Sequence, residues 1–366
     1  MDFTLSDEQR LLGDSAREML RRHCPPAHVK EVERQAPHYD SALWKRVGGL
    51  GWLEQATELE SLLDTALLCE ELGRASAPIP FLSTALVARA LTRSATPAAG
   101  HWLPRLRRAD AIGAVALTEE SARFDAAGIA ARAESDGDGF RLSGEKAFVA
   151  DGEAADVVLV AAKCGSGEGV ALFAVDAGAE GVERRSMDTG PGLPMSTVVL
   201  EGVRLARADM VSAPEDGDAA LNGLRDDAAV MGAALMLGHA AQACDDAIGY
   251  AKVREQFGIP IGTFQAVQHR LADMATDVET LRALVHAAAW KRAQGEEDAE
   301  LAVAVAKGWG AEALERVVGG AHQVFAGIGF TDDHDIQLHT RRAPWYASMY
   351  GDTRSHYRRA ATLLGL

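Results

Sequence analysis

Residues 254–265 read REQFGIPIGTFQ. An alanine-rich apolar run leads into them, and a second helical pattern follows. Gly258, Pro260 and Gly262 suffice for a turn between two helices, because glycine reaches left-handed backbone and proline ends a helix. They do not account for Arg254, Gln256, Phe257 and Gln265, which gather a planar cation, two amides and an aromatic ring around one turn. Taken singly, each has a plain structural role. Arg254 is a cation near a helix C-terminus, Phe257 an apolar stop, Gln265 a cap for the next helix. Their concentration needs a reason from the rest of the chain.

Downstream, Phe264, Val267, Leu271, Met274, Val278, Leu281 and Val285 recur at helical spacing with charges between them, which predicts one long amphipathic helix. Another precedes it from about residue 217, and a third spans about Glu296 to Phe325. Long antiparallel helices with alanine-rich faces predict a four-helix bundle over 214–366, with faces suited to burial against a second subunit. Upstream the texture changes. AIGAVAL, GFRLSGEKAFVA, DVVLVAA, GVALFAV and STVVLEGV are short β-rich runs, and Asp136-Gly137-Asp138-Gly139 is a turn between strands. They predict a small β domain over 111–213. Residues 1–110 read as helical. Ser6-Asp7-Glu8-Gln9 is a capping box ahead of Leu11, Leu12, Ala16, Met19 and Leu20. Pro25-Pro26, Gly48-Gly49-Leu50-Gly51 and Pro78-Ile79-Pro80 break the segment into shorter helices. The expected fold is α+β, in the order helical domain, β domain, four-helix bundle.

The chain has 366 residues, 48% of them apolar and 6% aromatic, enough for a large core built mostly on helices. Its formal net charge of −16 disfavours nucleic acid, which needs a basic footprint. Cys24, Cys69, Cys164 and Cys244 form no CxxC pair, so neither zinc nor a disulfide framework is indicated. Thr331-Asp332-Asp333-His334-Asp335 has metal-ligand residue types, but the expectation is no metal. The stretch MDFTLSDEQR is acidic and helix-like rather than a signal peptide, and no run is long enough to span a bilayer. A soluble cytoplasmic protein is expected, without membrane insertion.

The longer stretch YAKVREQFGIPIGTFQAVQHRLADM, residues 250–274, resembles the C-terminal signature of the acyl-CoA dehydrogenase family. AHQVFAGIGF at 321–330 resembles the family's Gln-x-x-Gly-Gly-x-Gly-Phe/Tyr stretch, and Ala116–Glu120 with Ser143–Lys146 resembles its β-domain motifs. The resemblance covers essentially the whole chain and shares its helical–β–helical order. It implies FAD as cofactor, an acyl-CoA as substrate, a tetramer, and electron-transfer flavoprotein or a similar acceptor. In such enzymes a carboxylate takes the α-proton while the β-hydrogen leaves as hydride to the flavin. The resemblance further implies that Arg254 and Phe257 reach a neighbouring subunit's FAD, the arginine at the pyrophosphate. Gln323 and Gly327 would contact the adenine end of that flavin, and Gln265 would join the cofactor contacts. Leu117, Thr118 and Phe148 would serve the chain's own flavin.

Departures from the family pattern fall unevenly. Thr-Glu-Pro-x-x-Gly-Ser-Asp reads TEESARFD at 118–125, so Phe124 stands where a serine offers its hydroxyl. Lys-x-Trp-Ile-Thr reads KAFVA at 146–150, so Phe148 replaces the tryptophan and Ala150 the threonine. The usual glutamate base falls on Tyr350 or Gly351, or on Ala228 in relatives that carry it on the long helix. Asp227 is rotated about 100° from that last position on an ideal helix. Asp352 is the remaining candidate base; a solvated loop aspartate is the plain alternative. Residues lent to a neighbour survive, while those serving the chain's own flavin and chemistry are eroded. This pattern suggests the non-catalytic partner of a heteromeric enzyme, like the actinobacterial members that degrade steroid side chains. A self-sufficient homotetramer with an atypical base and a non-enzymatic scaffold of the same fold are the alternatives.

Overall fold

The structure, a computed structural model, describes residues 4–36, 38–164, 169–189 and 193–366. Met1–Phe3 of the N-terminal stretch lie outside the described residues. In chain order the helices α1 (Asp7–His23), α2 (Pro26–Glu33), α3 (Ser41–Gly49), α4 (Trp52–Thr57), α5 (Leu62–Arg74), α6 (Phe81–Thr92) and α7 (Pro97–Arg107) come first. The strands β1 (Gly113–Ala116), β2 (Arg132–Asp136), β3 (Gly139–Ala150), β4 (Val157–Cys164), β5 (Val170–Asp176), β6 (Val182–Met187), β7 (Met195–Ala206) and β8 (Met210–Ser212) follow. Then come α8 (Gly217–Val253), the two-residue strands β9 (Glu255–Gln256) and β10 (Ile259–Pro260), α9 (Gln265–Gln294), α10 (Ala299–Phe325), α11 (Ile336–Ser348) and α12 (Thr353–Leu363).

Tertiary contacts gather these elements into two compact units that cut across the sequence order. One comprises Met1–Glu31, Glu60–Ala77 and Ala229–Leu366, the other Val32–Leu59 and Pro78–Ala228. In the first unit α5 and α8 touch backbone to backbone. A Cβ on Gly73 would lie 2.3 Å from the Leu235 carbonyl oxygen, and one on Gly238 would lie 2.0 Å from that of Glu70. Buried Glu71 holds Arg17 of α1 at 2.7 Å, and buried Glu70 pairs with Arg282 of α9. The capping box at Ser6 and Gln9 forms in both directions. His239 is a core histidine whose Nδ1 lies 2.9 Å from Nδ1 of buried His339, but its buried Nε2 finds no hydrogen-bond partner among the described residues.

The second unit holds the sheet, in the order β6-β7-β3-β2-β4-β5-β8 with β1 parallel to β4. Apart from the parallel pairs β1·β4 and β2·β4, neighbours run antiparallel. The five apolar runs all became strands. The strands β2, β6 and β8 went unpredicted. β6 reads VERRSM, with no buried residue, because an edge strand with water on both faces carries no apolar alternation. The turn at Asp136–Gly139 joins β2 to β3, with Gly137 at φ 63°. Among the described residues, no helix is long and apolar enough to cross a membrane.

Candidate active site

α8 ends at Val253, and the chain doubles back through a miniature hairpin, β9 against β10. Its turn residues Phe257 and Gly258 have φ of 57° and 81°. Two-residue hairpins ask for positive φ at both positions, which suits glycine and costs a phenylalanine roughly 1 kcal/mol. The strain holds a ring out into water: Phe257 is 93% exposed. Arg254 is fixed at its backbone, its N–H donating to Tyr250 O and its carbonyl accepting from Ile261 N–H, both at 2.8 Å. Its exposed guanidinium has neither hydrogen bond nor ion pair among the described residues. Gln265 is the first residue of α9 and makes no capping bond, so its amide is also turned outward.

The second predicted stretch lies at the same end of the bundle. Four residues before Arg254, the Tyr250 ring meets Phe325 edge-on, with centroids 5.2 Å apart. Gln323 is exposed, and a Cβ on Gly327 would meet nothing within 4 Å. Among the described residues, no contact therefore demands glycine at 327. Ala326, where the family places the first glycine of its pair, closes α10 at φ 52° and ψ −138°. Arg254, Phe257, Gln265, Gln323 and Gly327 are thus exposed on two neighbouring segments of one unit, the Phe257 ring meeting Phe264 edge-on at 6.2 Å.

The residues expected to serve the chain's own flavin are brought together on the other unit. Thr118 and Ala147 bond reciprocally, the Ala147 N–H to Thr118 O at 2.9 Å and the Thr118 hydroxyl to Ala147 O at 2.7 Å. The Thr118 hydroxyl is therefore occupied, and Leu117 beside it is buried. Phe148 sits at φ 55° where the β3·β7 register slips, and its ring is exposed. A buried clamp supports this shelf. Glu119 accepts from Lys146 Nζ at 2.6 Å and from the N–H groups of Ala130 and Ala131 at 2.8 and 3.0 Å. Burial lowers the Lys146 pKa even against its partner. The motif similarity pointed to both residues; their pairing needed the fold.

The candidate bases are disposed unfavourably for proton abstraction. Ala228 is buried in α8. Asp227, next to it, is also buried, with Oδ2 at 2.8 Å from Arg89 Nε and 2.7 Å from an Arg93 nitrogen. In the other unit, Tyr350 and Gly351 are buried in a turn with φ of 58° and 109°. A Cβ on Gly351 would lie 2.7 Å from His356 Nε2, so no longer side chain fits there as the turn stands. Asp352 is the N-cap of α12. The Ser355 N–H donates to its carboxylate at 2.8 Å and holds its pKa below the usual range. Arg341 pairs with Asp332 at 2.6 Å, and buried Arg342 donates to Ser76 O, so neither presents a free charge to a phosphate. Lys30 takes Asp335 at 2.7 Å. Among the described residues no three His, Cys, Asp or Glu gather as a metal site.

A β-sheet unit and a long-helix bundle that exposes an arginine, an aromatic ring and an open glycine match the architecture expected from the sequence resemblance. Family models for the N-terminal, middle and C-terminal domains of acyl-CoA dehydrogenase match residues 6–110, 114–203 and 217–363. The chain belongs to the acyl-CoA dehydrogenase family, FAD-dependent oxidoreductases acting on CH–CH groups. It is 32% identical to acyl-CoA dehydrogenase FadE27 of Mycobacterium tuberculosis, over 92% of this chain and 91% of that one. Among solved structures it is similar to the ChsE4-ChsE5 complex of the same organism, at 31% identity and TM-score 0.90, covering 100% of this chain and 99% of that one. The Tcur3481-Tcur3483 steroid ACAD is likewise similar, at 31% identity and TM-score 0.87, covering 99% of each chain.

Proposed function

We propose that this chain is the partner subunit of a heteromeric FAD-dependent acyl-CoA dehydrogenase, lending part of a flavin site to another chain and leaving proton abstraction to that chain's carboxylate. One contrast carries the reading. Arg254, Phe257, Gln265 and Gln323 face solvent, while positions 228, 350 and 351 hold no acid and the acids beside them are engaged. A base for an α-proton needs a carboxylate whose pKa is raised by desolvation. Asp352 is shifted the other way by its capping bond. Similarity to the ChsE4-ChsE5 and Tcur3481-Tcur3483 assemblies supports a two-chain enzyme.

In this reading Arg254 offers paired N–H donors and a fixed charge to the diphosphate of a neighbour's FAD. Phe257 packs against that cofactor, and Gly327 admits it close to backbone. FAD, when bound, supplies the hydride acceptor. Leu117, Thr118 and Phe148 are what remains of the chain's own shelf. The substrate class is an acyl-CoA thioester, with electron-transfer flavoprotein or a similar acceptor, in the cytoplasm. Regions 1–110, 111–213 and 214–366 are taken as the family's three domains, although tertiary contacts divide the chain into two units that cut across them.

Flavin per chain tests this, measured by absorbance near 450 nm, where oxidised flavin absorbs. The chain is purified alone, then with acyl-CoA dehydrogenase-like chains encoded beside it. We expect little flavin alone and about one FAD per two chains in the complex, if each flavin draws on both chains. A lone chain carrying one FAD per subunit that acyl-CoA bleaches would establish a self-sufficient enzyme instead.

A further inference from the structure

Lys307 lies midway along α10 with its side chain almost fully buried. Its amine donates to two backbone oxygens, Ala347 O at 2.9 Å and Gly351 O at 2.8 Å. No ion pair reaches it among the described residues. A neutral amine has two N–H groups and an ammonium three. Two acceptors satisfy the neutral form and leave one N–H of the charged form without a partner.

Those oxygens flank the turn between α11 and α12, whose Tyr350 and Gly351 hold positive φ. The amine therefore cross-links the two ends of a strained turn. Titratable groups of α9 and α11, which also pack against α10, turn elsewhere: Arg282 pairs with Glu70, His339 and Tyr346 meet His239, and Arg342 donates to Ser76 O. From α8 the approach is Gly232, whose Cβ would lie 4.0 Å from Lys307 Cε, and its neighbours Ala229–Gly238 include no titratable side chain. From α12 come Asp352, His356 and Tyr357. Asp352 is exposed and accepts the Ser355 N–H, and His356 Nε2 bonds Tyr350 O at 3.1 Å. The Tyr357 hydroxyl donates to Glu312 of α10 at 3.2 Å.

We propose that Lys307 is an acid-released latch: as a neutral amine it pins the 347–352 turn, and on protonation it drives the turn toward a state in which the ammonium reaches water. Burial lowers the pKa of this lysine from 10.5 to about 7, with Asp352 opposing the shift. The sign follows from that depression. Below about pH 7 the amine is charged whether the turn is closed or open, and the full cost of burial stands. From about pH 7 up to 10.5 the closed turn sheds its proton and gains stability over the open one. The same turn walls a groove of about 710 Å³, lined by Ala347, Ser348, Asp352, Arg354, Tyr357 and Arg358 among others. Release of the latch would reshape that groove and the segment aligned with the family's base. The inference concerns this chain alone and stands whether or not the heteromeric reading holds.

The test is hydrogen exchange by mass spectrometry on the full-length chain, with its partner if one is needed. Rates are corrected for the intrinsic pH dependence of exchange. Between about pH 6 and about pH 8.5, protection of a peptide covering 348–353 is expected to rise about thirtyfold relative to one in α5, from the two protonation equilibria. In Lys307→Met, or Lys307→Gln, the ratio is expected to be flat. A wild-type ratio that does not change with pH overturns the proposal even if neither variant folds. A variant with the same pH slope as wild type also overturns it.

Discussion

Single residues in this chain carry strain where the family's pattern was changed. Ala326 sits at φ 52° and ψ −138°, a region that glycine visits freely and alanine does not. Conformations of this kind cost about 1–3 kcal/mol and persist when their surroundings enforce them. Ala326→Gly is therefore expected to stabilise the protein by about 1 kcal/mol, read as a raised midpoint in urea. An unchanged or lowered midpoint would show that the entropy glycine adds to the unfolded chain outweighs the relief. Phe257 is strained in the same sense; its ring is 93% exposed and meets the Phe264 ring edge-on, with centroids 6.2 Å apart.

Elements are held in register by a few buried charges. Asp227 of α8 joins Arg89 of α6 and Arg93 at that helix's C-cap, and Arg89 also donates to Ala56 O at 2.8 Å. Asp227→Asn would leave a buried guanidinium without its anion, at a cost of about 3–5 kcal/mol. Chemical denaturation measures that loss. A stable variant whose complex loses turnover would instead point to Asp227 as the missing base. The Glu119–Lys146 pair serves β3 in a similar way, tying its register slip to the segment after β1 beneath Phe148.

At the scale of the whole molecule, the exposed arginine turn is the feature on which the proposed assembly rests. Arg254→Ala removes charge-assisted bonds worth about 1.5–3 kcal/mol, so flavin retention in the two-chain complex should weaken about tenfold or more. Subunit association, followed by size-exclusion chromatography, should be unchanged if the Arg254 guanidinium contacts only the cofactor; among the described residues it has no partner whose loss would perturb the fold. Loss of assembly with flavin affinity intact would assign the residue to the subunit interface. The net charge of −16 makes a local cation more conspicuous, since the rest of the surface repels an anionic cofactor.

Much of this was legible in the chain as written. Helical spacing from Phe264 to Val285, the five apolar strand runs and the Ser6 capping box depend on local periodicity and local hydrogen bonds; the helix, strands and cap form, though only Met274, Val278, Leu281 and Val285 of that series are buried, while Phe264, Val267 and Leu271 stay half-exposed. The turn at 254–265 was also legible, because its excess of polar and aromatic groups exceeded what a turn needs. Periodicity could not reveal β2, β6 and β8, which carry little or no apolar alternation because they are short or lie at an edge. Nor could it tell which of two adjacent aspartates, Asp226 or Asp227, meets Arg89, or that Arg341 and Arg342 spend their charge inside the chain. The amine of Lys307 reads in sequence as an ordinary cation on a helix. Its two carbonyl partners lie 40 and 44 residues away, and long-range packing decides both its burial and its charge.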